Sequence, residues 1–200
     1  VTLLFLARTT ALLYFINNIE DEVAYERARK SLLPNAAIFV VLFVAYVVFL
    51  MVTKGYDVDP ATGAVSLVQY KYLHNFLAMP VILVLFLVGV VLVLAGVILT
   101  LVKKGFRKGI WLEGVGVVLA VLGLLLILGY NNTAYYPSIA DLNSSLTIQN
   151  SSSSPYTLKA MSIVSLLIPF VLAYIFYAWR AIDRKKITRH EMGQDEEIKY

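Results

Sequence analysis

Any chemistry in this chain has to come from the few ionisable or ligating side chains that interrupt its apolar stretches. Two stand out, Arg8 within Val1 to Ile19 and Glu113 at the edge of a run that ends at Tyr130. Charged groups are costly inside a bilayer, so both are candidates for function by default. Arg8 reads as a partner for a carboxylate on an upstream segment or another subunit, in preference to a transport role. Glu113 is expected at headgroup level, beside the basic run Lys103, Lys104, Arg107 and Lys108. The two histidines, His74 and His190, fall at an outer span edge and in a polar tail, so they cannot hold one buried metal together. His74, next to Tyr70 and Tyr72, reads as an interfacial residue. Asp57 and Asp59 supply too few oxygens for calcium, and with Pro60-Ala61-Thr62-Gly63 they read as a solvated turn. There is no Gly-rich phosphate loop and no nucleophile triad pattern. The lack of cysteine excludes disulfides, thiolate-bound zinc, iron–sulfur ligation and a cysteine nucleophile. No catalytic, cofactor-binding or metal site is therefore assigned within the chain.

The elements that carry these residues follow from composition. Of 200 residues, 60% are hydrophobic and 15% charged, where a soluble domain has about 25% charged residues. Mean hydropathy is +0.76. A helix crosses about 30 Å of hydrocarbon with roughly 20 apolar residues, all its backbone polar groups being satisfied internally. Uncharged runs of that kind are Pro34 to Thr53, with its proline expected in the first helical turn, and Phe76 to Val102, with Pro80 near its start. Gly114 to Tyr130, extensible through Ile110 to Leu112, and Ala160 to Trp179 complete a set of four. Val1 to Ile19 reads as a fifth span, and the absence of a basic start or a cleavage site argues against a secretory signal. The chain is expected to begin inside a longer protein. The fold class is all-α, a polytopic transmembrane helical bundle with five spans.

Charge sidedness tests the segmentation, because cytoplasmic loops hold the excess of Lys and Arg. Of the 17 basic residues, 13 lie in the first connection, the third connection and the tail. The second and fourth connections hold Lys54, Lys71 and Lys159. This alternation predicts five crossings with a cytoplasmic C-terminus, and it explains the net charge of +4 without nucleic acid. Gly89 and Gly96, like Gly116 and Gly123, are spaced seven apart and form candidate helix contacts, against the plain reading that glycine is common in membrane helices. The outer loop from Asn131 to Leu158 is rich in Ser, Asn and Pro and holds sequons at Asn131, Asn143 and Asn150. Such sequons are frequent by chance in Ser-rich loops, and glycosylation is not expected. Tyr135 and Tyr136 on one side and Trp179 on the other fit an aromatic belt.

One stretch carries a more specific signal. Ser145-Leu146-Thr147-Ile148-Gln149-Asn150-Ser151-Ser152-Ser153-Ser154-Pro155-Tyr156-Thr157-Leu158-Lys159-Ala160-Met161, followed by Ile168-Pro169-Phe170-Val171-Leu172-Ala173-Tyr174, closely resembles the C-terminal part of subunit II of the cytochrome bd quinol oxidases. Tyr135-Tyr136-Pro137 is similar to that family's aromatic-proline entry to the same loop. Glu22-Val23-Ala24-Tyr25-Glu26-Arg27-Ala28-Arg29-Lys30 resembles its connection after the fourth helix. Asn17-Asn18-Ile19-Glu20-Asp21 departs from the threonine-glycine pair usual there.

The resemblance implies an eight-helix subunit in which these spans are helices four to eight. Residues 1–33 would be the last helix of a first bundle with its cytoplasmic connection. Residues 34–182 would be a second four-helix bundle with outer loop 131–158, and residues 183–200 a polar cytoplasmic tail. It implies a plasma-membrane complex, bacterial or archaeal, that oxidises quinol and reduces dioxygen to water in the respiratory chain. Haem b, haem d and the quinol site would belong to subunit I, the partner, leaving this chain haem-free, non-catalytic and bounded by membrane lipid. Protons taken from inside and released outside would make the reaction electrogenic without a pump. The alternative is half of a secondary transporter, motivated by Arg8 and the glycine-bearing spans. Transporters place broken helices and polar groups at mid-membrane, and Ile38 to Val52 and Val81 to Val97 hold almost none.

Overall fold

The computed structural model describes residues 1–182. It is a helical membrane protein with one small β-hairpin. Helix α1 is Thr2–Asn18 and α2 is Glu22–Val52. Strands β1 (Lys54–Val58) and β2 (Val65–Gln69) then lead through α3 (Lys71–Ala78) into α4 (Pro80–Val102). Helix α5 is Gly109–Gly129, and the short α6 (Ile148–Ser151), α7 (Pro155–Ser165) and α8 (Ile168–Ile182) follow. Four helical stretches among the described residues are long and apolar enough to span a bilayer: Glu22–Val52, Pro80–Val102, Gly109–Gly129 and Pro155–Ile182. The expected fifth, α1, has 17 residues.

Three boundaries differ from expectation, each for a local reason. Helix α2 does not open at Pro34. It starts at Glu22, where the Asp21 carboxylate accepts from Val23 N at 3.0 Å and Glu22 sits in the positive first turn. Pro34 is accommodated inside the helix. The expected run Phe76 to Val102 is broken at Met79 (φ −120°, ψ 72°), because the residue before a proline is pushed out of the helical region. Pro80 then opens α4. The expected Ala160 to Trp179 is interrupted at Leu166-Leu167. Pro169 has no N–H for the next turn, and Phe170 N and Val171 N bond to Leu167 O instead.

Helices α1 and α2 pack side by side, and so do α4 and α5; α1 also touches α5, and α2 touches α4. One apolar cluster joins Leu13, Ile16, Tyr25, Ala28 and Leu32 to Val97. A second joins Leu50, Tyr72, Phe76 and Phe86 to Leu124 and Ile127, with the Phe76 and Phe86 rings 5.1 Å apart. Apolar side chains such as Val41, Phe49, Val91 and Leu125 point outward, as lipid-facing residues must. Along α7 and α8 every residue but Ala178 is exposed.

The α4–α5 seam is backbone against backbone. A Cβ on Gly89 would come within 2.5 Å of Ala120 N and 2.7 Å of Gly116 O, and one on Gly116 within 2.6 Å of both Gly89 O and Val93 N. A Cβ on Gly96 would meet Gly109 O at 2.7 Å. The glycines singled out by spacing are therefore the contact, because helices in lipid associate by close approach and dispersion.

The expected exposed turn at Pro60 to Gly63 is the tip of a β-hairpin whose strands were not expected. Its strands pair antiparallel, Lys54 opposite Gln69 and Val58 opposite Val65. At its tip Asp59 Oδ2 accepts from Thr62 Oγ1 at 2.6 Å and Oδ1 accepts from Ala61 N at 3.0 Å. Gly63 takes the positive φ of 72° that closes the turn.

Candidate functional site in the membrane helices

Two polar nodes sit in this apolar frame, one at each end. At the end carrying the hairpin, Lys71 of α3 is buried and its Nζ donates to Asp57 of β1 and, at 2.9 Å, to Asn131 O. One turn on, Asn75 has no exposed surface. Its Nδ2 donates to Ile127 O at 2.7 Å and to Thr133 Oγ1 at 2.8 Å, and its Oδ1 accepts from Asn131 Nδ2 at 3.0 Å. Asn131 and Asn132 both hold positive φ, 58° and 53°, a conformation asparagine tolerates better than most residues. The cluster thus ties α3, the hairpin and the end of α5 together. Its members were not foreseen as a group, although Lys71 and Asn75 stand i, i+4 on one helix face.

The same bonds bear on the sequons. The Asn131 amide is held by Asn75, and Asn143 Oδ1 accepts from Val65 N. Asn150 closes a capping box with Thr147 while donating to Ser145 O. All three asparagine side chains hold local structure in the loop. Asp59 titrates below the usual carboxylate range because Thr62 and then Ala61 hydrogen-bond its charged form. The Tyr72 hydroxyl is pushed up, chiefly by burial and then by the nearby Tyr56 and Tyr46. Asp57 and Asp59 do not converge on a cation; one pairs with Lys71 and the other closes the turn.

The second node lies between α1 and α5. Glu113 is wholly buried near the start of α5, at the end of the helices that carries the basic connection. It faces inward because the glycines of the seam let α4 approach: a Cβ on Gly96 would lie 2.9 Å from Glu113 N. Thr10 Oγ1 is 2.6 Å from Glu113 Oε1, while Oε2 is buried and has no hydrogen-bond partner. The node lines a groove of about 1040 Å³ between the two helices, walled by Leu6, Ala7, Tyr14, Val117 and Val118, with Trp179 at its rim. Arg8 does not join it. Its side chain is exposed and its guanidinium lies 5.8 Å from the Phe5 ring centre. His74 is exposed on α3, and His190 lies outside the described residues.

The connections that hold the nodes in place also pair up. Arg107 Nη1 donates to Ile19 O at 2.9 Å and stacks over Tyr25, whose hydroxyl accepts from Gly105 N. Arg29 donates to Leu101 O. The two basic connections therefore meet each other, while Val58 N bonds to Asn132 O and Ala134 N to Tyr56 O at the opposite end. Loops assigned to one side by charge are in contact with each other.

These are the marks of a multi-pass membrane subunit. A family model for cytochrome bd terminal oxidase subunit II matches residues 1–182. The chain belongs to that family. A comparison with curated proteins finds no match. As a subunit of the cytochrome bd terminal oxidase, it is part of an oxidoreductase complex that uses haem and implies a partner subunit. Among the described residues no three His, Cys, Asp or Glu side chains gather as for a metal.

Proposed function

We propose that this chain is the haem-free half of the oxidase scaffold, packing against a haem-bearing subunit I that binds haems b and d, oxidises quinol and reduces dioxygen to water. The carrying observation is the family match over the same 182 residues that hold every described helix. The geometry supports it: polar groups are spent on tying helices together, and the tightest helix contact is closed. In this reading the chain supplies shape, a low-dielectric wall and insulation from water, and no step of electron transfer runs through its residues. The complex lies in the plasma membrane with the C-terminus in the cytoplasm. Residues 1–33 belong with a first bundle, residues 34–182 with a second, and residues 183–200 form a cytoplasmic tail. The secondary-transporter alternative is not favoured, because the family match points elsewhere.

The test is affinity purification of the intact protein from its native membranes. A haem-bearing membrane partner and quinol-oxidase activity are expected to co-purify with it. Recovery without any haem protein, or porphyrin iron ligated by this polypeptide alone, would overturn the reading.

A further inference from the structure

Glu113 is the one fully buried acid among the described residues, and the function above makes no use of it. From α1 it is faced by Thr10, and from α4 by Gly96. No cation reaches it from these elements. Arg8 of α1 is turned to Phe5, Arg29 of α2 is bound to Leu101 O, and Arg107 before α5 is bound to Ile19 O. Lys71, which pairs with Asp57, is at the far end of the helices. A buried carboxylate with neither a counter-ion nor a partner for its second oxygen is heavily penalised. Oε2 offers no accessible surface, so a water, a metal ion or a lipid headgroup has no room beside it as the helices stand. The ligand that needs no room is a proton.

The hydrogen-bond geometry accommodates one. Thr10 Oγ1 lies 2.6 Å from Glu113 Oε1 and 3.1 Å from Leu6 O. A hydroxyl has a single hydrogen, so with Glu113 ionised Thr10 can serve one of these acceptors. With Glu113 protonated both bonds form: Oε1–H donates to Thr10 Oγ1, and Thr10 donates to Leu6 O. We propose that Glu113 is a proton-binding site, a neutral carboxylic acid that clasps α1 to α5 through Thr10. The chain of bonds ends on a backbone carbonyl, so the proton is held there and not conducted. This goes beyond the oxidase reading and does not depend on it.

Infrared difference spectroscopy tests the proposal on the intact protein in lipid nanodiscs at neutral pH, wild type minus Glu113→Gln. The isosteric glutamine can still donate to Thr10. A protonated-carboxyl C=O band is expected in the wild type, lost in Glu113→Gln, with a small downshift in heavy water. Thr10→Val, which removes the acceptor, should move the band to higher frequency, and Thr10→Ser should leave it in place. The two Thr10 variants keep the proposal testable even where Glu113→Gln does not fold. Carboxylate bands alone in the difference spectrum, or a C=O band indifferent to Thr10→Val, would overturn it.

Discussion

Asn75 shows how little polarity a membrane protein can leave unspent. Its amide makes two donations and one acceptance, to Ile127 O, Thr133 and Asn131. Asn75→Leu leaves Asn131 and Thr133 facing an apolar side chain, and a buried group stripped of its partner costs about 1–3 kcal/mol. Thermal unfolding in detergent should report a destabilisation of that size. Asp59 gives a prediction of a different kind. Its folded-state pKa is lowered by the bonds from Thr62 and Ala61, so its contribution to the hairpin tip is present above the unfolded value. That contribution is lost as pH falls through the lower folded value. In an NMR titration Thr62→Val should raise the Asp59 midpoint toward that of an ordinary aspartate. An unchanged midpoint would mean the Thr62 bond does not form.

At the scale of elements, the α4–α5 seam makes a matched pair of substitutions. Gly116 faces Gly89 O and Val93 N with no space for a methyl group, whereas Gly114 has nothing within 4 Å of an added Cβ. Gly116→Leu must spread the helices and should cost about 1–3 kcal/mol or more, the range for overfilling a packed site. Gly114→Ala should be neutral or stabilising by up to about 1 kcal/mol, from helix propensity alone. Equal unfolding midpoints for the two variants would dismiss the seam as the organising contact.

At the scale of the whole molecule, the basic connections meet at one end of the helices and the hairpin meets the turn after α5 at the other. The chain lacks cysteine, so single introduced cysteines report sidedness cleanly. A cysteine at Lys104 and one at Ser153 should react with a membrane-impermeant thiol reagent from opposite faces of sealed vesicles. Labelling of both from the same face would refute the alternation of charge that places the spans.

The sequence by itself determined that the chain is a membrane protein, roughly where its spans run, which connections share a side, and which glycines make the helix contact. Each of these depends on quantities local to a segment: uncharged length, charge at its ends, and residue spacing along one face. Local signals also mislead at prolines, so Pro34 could be taken for a helix start when Asp21, further upstream, caps the helix. Only the tertiary structure decided that Glu113 is buried against Thr10, residues separated by 103 positions. It alone decided that Lys71 and Asn75 bind the turn at Asn131. Burial and partnership are properties of two segments brought together, and a polar residue near the end of an apolar run looks the same from its neighbours whether it meets water or another helix.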